Sequence, residues 1–231
     1  MKKTILITGS NRGIGLELAR QYSVAGWHVH ACCRKPSAAD SLNSLASGNN
    51  NMHIHSLDVT NLEQIESLSK KLLDVPIDIL FNNAGVYGPY DAYFGNVDEQ
   101  ECLQCMRVNT IAPLKMIENF VGHVGRSQLK LVASMSSKMA SMSDNGSGGS
   151  YIYRASKAAL NAMMKSAAID LKSKNIKVAI LHPGWVRTDM TGPAAEITTE
   201  ESVTQLVKNM EAVTLESSGS FYDIDGSIIS W

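Results

Sequence analysis

The chain has no long apolar run, no block of like charge, and few cysteines, prolines or aromatic residues. Its first apolar stretch, Thr4-Ile5-Leu6-Ile7, ends at Thr8-Gly9-Ser10. A membrane span needs roughly 18 apolar residues, so no contact with the membrane is expected. Met1-Lys2-Lys3 opens like a secretion signal, but the apolar core of such a signal is missing. A cytoplasmic protein is expected. Lys and Arg number 21 against 22 Asp and Glu, and no Lys/Arg run reaches three. Binding to nucleic acid through net charge is thereby excluded. The four cysteines fall as the adjacent Cys32 and Cys33 and as Cys102-Leu103-Gln104-Cys105. A zinc site needs a further ligand pair at short spacing, and none is present. Reduced thiols and no metal are expected.

What is present is alternation. Apolar, β-branched segments at Thr4–Thr8, His28–Cys33, Met52–Leu57, Ile77–Asn82, Leu129–Ser134 and Lys177–His182 read as strands. Helical patterns lie between them near Gly13–Ala25, Asn61–Leu73, Glu99–Val121 and Tyr151–Ser173, with a weaker one at Ser37–Ser47. A last helix near Glu200–Leu215 precedes a short strand around Ser220–Tyr222. Strands and helices alternating at this spacing form right-handed βαβ units around a parallel sheet. The expectation is α/β: one doubly wound domain over residues 1–231, its mainly parallel sheet of seven strands covered on both faces. Ligands in such sheets sit beyond the strand C-termini.

Thr8-Gly9-Ser10-Asn11-Arg12-Gly13-Ile14-Gly15 joins the first strand to the first helix. Gly9 permits a tight turn, Gly13 lets backbone approach a pyrophosphate, and Gly15 lets the helix lie close to the sheet. The helix amides and macrodipole then face the phosphates. Strand before and helix after favour a dinucleotide over a merely structural turn. An NAD site would place an acid at the end of the second strand to hold the ribose 2′-hydroxyl. That position reads Cys32-Cys33-Arg34-Lys35. Arg34 and Arg12 are suited to a 2′-phosphate, so NADP(H) is expected. The alternative is two ordinary solvated arginines.

Tyr153-Arg154-Ala155-Ser156-Lys157 places a phenol and an ammonium at i and i+4, on one helix face. A free tyrosine titrates near pH ~10, while an acid/base group works best near pH ~7. A cation about 4 Å away is worth ~4 kcal/mol at an effective dielectric of ~20, or about three pKa units. One lysine roughly closes that gap. Tyr151, at i+6 from Lys157, cannot play this part.

With these motifs the chain resembles the short-chain dehydrogenase/reductase family. The resemblance rests on Thr8–Gly15, Asp58-Val59, Asn82-Asn83-Ala84-Gly85, Asn109, Ser136-Ser137, Tyr153 with Lys157, and Pro183-Gly184 with Thr188, in that order. The ending, Phe221-Tyr222-Asp223 before Asp225-Gly226 and Trp231, is similar to the C-factor/sniffer-type branch related to carbonyl reductases. The resemblance implies a Rossmann domain and an NADP(H)-dependent oxidoreductase that interconverts a small-molecule carbonyl and an alcohol. Tyr153 would give and take the proton; Lys157 would lower its pKa and bind the nicotinamide ribose. Ser137 would hold the carbonyl oxygen, with Ser136 and Ser134 as alternatives. Asn109 would hold a water relaying protons to Lys157, unless it merely satisfies backbone. Asn83, Ala84 and Gly85 would pass the adenine ribose, and Asp58 and Val59 would meet the adenine. Pro183, Gly184, Val186 and Thr188 would hold the carboxamide end.

Two stretches depart from the family pattern. Ser141–Ser150 is a longer Gly/Ser connection, flexible by composition and read as a rim of the site. The segment between Asp189 and Glu200 is short, so an open cleft is expected. Tyr87, Tyr90, Tyr93, Phe94 and Trp185 either shape the substrate end or pack upon themselves; Tyr87 and Trp185 are the substrate candidates. The Tyr153 helix is apolar nearly all round, which points to a homodimer or homotetramer, or else to burial within the domain. An NADP(H)-binding signalling or redox-sensing protein with little turnover is the competing function. A methyltransferase would leave the tyrosine and lysine unexplained.

Overall fold

The structure, a computed structural model, describes residues 2–231. Seven strands form one sheet in the order β3-β2-β1-β4-β5-β6-β7, and every pairing between neighbours is parallel. The strands are β1 (Thr4–Thr8), β2 (His28–Cys33), β3 (Met52–Ser56), β4 (Ile79–Asn82), β5 (Leu131–Met135), β6 (Lys177–Leu181) and β7 (Phe221–Tyr222). The helices are α1 (Gly13–Val24), α2 (Asp40–Ala46), α3 (Leu62–Lys71), α4 (Glu99–Met106), α5 (Ala112–Gly125), α6 (Tyr151–Leu171) and α7 (Thr199–Ala212). Side chains alternate across the sheet, so Ile5 and Ile7 enter one core and Leu6 the other. Leu18 of α1, Leu42 of α2 and Leu206 of α7 cover the first face. Ile65 of α3, Phe120 of α5 and Leu160 of α6 cover the second. That is the doubly wound Rossmann arrangement the alternation predicts.

Most boundaries lie within a few residues of the sequence reading, and three of the differences have a local reason. β5 starts at Leu131 rather than Leu129 because Lys130 takes φ +51°, a left-handed conformation no strand accommodates. β4 starts after Asp78, where the Thr4 amide donates to the buried Asp78 carboxylate at 2.8 Å instead of to a strand carbonyl. The single helix expected over Glu99–Val121 is instead α4, a π-turn at Arg107–Ile111, and α5. Pro113 has no amide proton to offer the Asn109 carbonyl four residues earlier, so the regular ladder fails there. The widened turn falls at Asn109, as π-bulges commonly do at functional positions.

Candidate active site

The C-terminal ends of the strands open on a cavity of about 660 Å³, within the range of small-molecule sites. Gly9, Gly13 and Gly15 form its floor beneath the turn after β1. Gly9 holds φ +70°, and a Cβ on Gly15 would stand 2.1 Å from the Gly9 carbonyl oxygen. No other residue fits there. No side chain caps α1, whose first amides face the cavity beside Arg12, Ile14 and Asn11. An uncapped helix N-terminus on a glycine floor suits a pyrophosphate. At the end of β2 the wall is Cys33 and Arg34, with no carboxylate at that strand end, and Asp58 and Val59 after the neighbouring β3 line the cavity too. These residues fit an NADP-type dinucleotide.

Three of these side chains make contacts that the sequence reading did not include. Ser10 is fully buried and turns its hydroxyl to the Ile7 carbonyl at 2.9 Å, so it braces the turn and does not line the cavity. Arg12 does not stand free for a phosphate: its guanidinium pairs with Asp189 at 2.7 Å, both side chains largely exposed. Arg34 makes no ion pair among the described residues. Asn83 does reach the wall, but its side-chain amide donates to the Thr8 and Gly9 carbonyls at 2.9 and 3.0 Å. It ties the glycine turn to the end of β4, where Ala84 and Gly85 also line the cavity.

At the opposite end β5 delivers Ser137, and α6 delivers Tyr153 and Lys157. The two serines separate cleanly. Ser136 is buried and donates to Asn161 Oδ1 at 2.6 Å, while Ser137 lines the cavity with Tyr153. Ser134 is buried against Met164. Burial pushes the Tyr153 phenol up to about 12; the Ser137 hydroxyl opposes this, and Tyr87 and Cys105 add to it. The lowering expected from Lys157 is absent. The Lys157 ammonium lies 5.9 Å from the Tyr153 ring centroid and donates to the Met135 carbonyl at 2.8 Å. Burial lowers Lys157 itself to about 8, so it keeps its proton at neutral pH. Desolvation outweighs charge in the protein alone, which the spacing argument did not include.

Asn109 lies behind the wall. Its amide donates to the Val86 carbonyl at 2.8 Å and to Ser156 at 3.0 Å, and its oxygen accepts from the Val86 amide at 2.9 Å. The side chain therefore satisfies backbone and Ser156, the alternative the sequence left open. Pro183, Gly184, Trp185, Val186 and Thr188 line the remaining side, joined by His182, which the sequence reading did not name. Burial holds the His182 imidazole well below its usual value. Of the aromatic loop, Tyr87 and Tyr90 line the cavity, while Phe94 is 90% exposed and outside it. The Ser141–Ser150 rim is anchored rather than free: Ser141 donates to the Ser230 carbonyl at 2.6 Å and Arg154 to Ser147 at 2.9 Å.

A family model described as short chain dehydrogenase matches residues 3–208. The chain belongs to the short-chain dehydrogenase family. Within it, the chain is 37% identical to the C-signal of Myxococcus xanthus over 156 residues, covering 68% of this chain and 93% of that protein. The Sniffer carbonyl reductase of D. melanogaster superposes with a TM-score of 0.93 at 33% identity, covering all of both chains. An NADPH-bound carbonyl reductase from chicken fatty liver gives 0.93 at 29% identity, covering 100% of this chain and 99% of that one. Among the described residues, no group of three or more His, Cys, Asp or Glu could hold a metal, and no helix is long and apolar enough to cross a membrane.

Proposed function

We propose that this short-chain dehydrogenase is an NADP(H)-dependent carbonyl reductase, converting a ketone or aldehyde to an alcohol or the reverse. The observation that carries the reading is the continuity of one cavity. It runs from a nucleotide end with Arg34 and no acid at the end of β2 to the Ser137–Tyr153 end. The bound dihydronicotinamide supplies the hydride. Tyr153 donates the phenolic proton to the substrate oxygen during reduction and takes it back during oxidation. Ser137 holds that oxygen by hydrogen bonding, and Lys157, fixed on the Met135 carbonyl on the same face of α6, is placed to hold the nicotinamide ribose. Tyr87, Trp185, Met139 and Met190 present an apolar wall with no unpaired charge, which suits an uncharged carbonyl.

The likeness to the C-signal supports a second reading, a signalling protein that binds NADP(H) and turns over little. An NADPH-oxidation screen across aldehydes, ketones and quinones, with Tyr153→Phe as control, separates the two. Turnover above the control supports the reductase, and binding without turnover supports the signalling protein. We assign the protein to the cytoplasm, acting on a small molecule, as a homodimer or homotetramer associating through α5 and α6. Ile111, just before α5, at 43% and Ile169 of α6 at 66% exposure support that association. Light scattering should give at least twice 25.0 kDa with NADPH present. A mass of one chain would overturn it.

A further inference from the structure

Tyr87 follows the end of β4, and its ring lies almost parallel to that of Tyr153. The ring centroids are 4.5 Å apart and the planes are inclined by 26°. Tyr90 stacks on Tyr87 in turn, at 4.9 Å, and donates its hydroxyl to the Met190 carbonyl at 2.8 Å. The Tyr87 hydroxyl hydrogen-bonds Ser150 at 2.8 Å. Ser150 precedes α6 in a left-handed conformation, φ +46°, that serine seldom adopts, and its side chain does not cap the helix. Instead it meets Tyr87. The Tyr87 ring is thus held by stacking against both tyrosines and by its hydroxyl.

We infer that Tyr87 is a positioning residue for the catalytic phenol, fixing the plane of Tyr153 and shielding one face of its ring from water. The inference rests on the assignment of Tyr153 as the acid/base group. It differs from the substrate-wall role in its contacts, because Tyr87 is fastened to Tyr153, Tyr90 and Ser150. Stacked aromatic rings resist tilting, so the phenolic oxygen stays aimed at the cavity. Shielding also disfavours the phenolate, in line with the burial that pushes Tyr153 up. Tyr153 therefore keeps its proton until a carbonyl accepts it.

The test is the pH profile of kcat for reduction in wild type, Tyr87→Leu and Tyr87→Phe. It is paired with ultraviolet difference titration of tyrosinate against the same proteins carrying Tyr153→Phe. Losing the ring should move the basic limb and the Tyr153 titration down by about one pH unit. kcat for reduction should fall up to about tenfold. Tyr87→Phe retains the stack and should keep the limb where it is. Tyr87→Met, which keeps apolar volume without a ring, carries the same expectation as Tyr87→Leu if that variant does not fold. A raised KM with an unmoved profile and titration would overturn the inference, as would equal shifts in Tyr87→Phe and Tyr87→Leu. Turnover by Tyr153→Phe would instead sink the acid/base assignment and the positioning role with it.

Discussion

Cofactor choice should hinge on Arg34, with Arg12 held partly in reserve by Asp189. Arg34 lines the nucleotide end without an ion-pair partner among the described residues. A 2′-phosphate carries close to two negative charges at neutral pH. A hydrogen bond to a charged group contributes about 1.5–3 kcal/mol, so Arg34→Ala should weaken NADPH by roughly ten- to a hundredfold. NADH, which lacks that phosphate, should change little. Arg12 must leave the Asp189 carboxylate to serve the same phosphate. Exposed pairs are worth less than about 1 kcal/mol, so Asp189→Asn should tighten NADPH no more than about fivefold. Its effect on NADH should be smaller still. Cys33→Asp should weaken NADPH by placing an anion beside the phosphate. Isothermal titration of both nucleotides measures all of this. Equal NADPH and NADH affinities in the wild type would refute the reasoning, as would equal losses for both in Arg34→Ala.

Two further outcomes follow from the packing. His30 and His55 are buried on β2 and β3, hydrogen-bonded at 2.9 Å, with burial lowering them to about 3 and about 4. His53, His28 and Lys71 face the pair and disfavour further positive charge. Below the ordinary value of 6.5 the unfolded chain binds these protons first, so stability is full above that pH and falls toward pH 4. Urea midpoints should drop between pH 7 and pH 5, and His30→Val with His55→Val should flatten that drop; an unchanged slope would contradict it. Gly15→Ala should abolish NADPH binding or folding, because its Cβ would meet the Gly9 carbonyl at 2.1 Å. Native melting and wild-type nucleotide affinity in that variant would show the turn to be adaptable.

Most of the fold was legible because burial on both sheet faces leaves uninterrupted β-branched strands, while the helices keep their period. The boundaries that moved were set by single residues acting through tertiary contacts, such as Asp78 accepting from Thr4 across two strands. Among the site residues, position in the chain showed which ones gather at the cavity. It did not show what each side chain does there. Ser10, Asn83 and Asn109 all fall where the motifs place them, yet their polar atoms are taken up by neighbouring backbone. Arg12 and Asp189 stand far apart in sequence, so their pairing needed the fold. The height of the Tyr153 titration was likewise hidden, because spacing reports a nearby charge and says nothing of excluded water.

The account stands or falls on the proton carried by Tyr153. The most direct measurement is single-turnover NADPH oxidation by Tyr153→Phe, on the best carbonyl substrate, with nucleotide saturating. Loss of a general acid is expected to slow that step by about a hundredfold or more, while NADPH affinity stays within a few-fold because the ring remains. A rate above about a tenth of wild type would contradict the mechanism, since the remaining groups cannot supply that proton as well as a phenol.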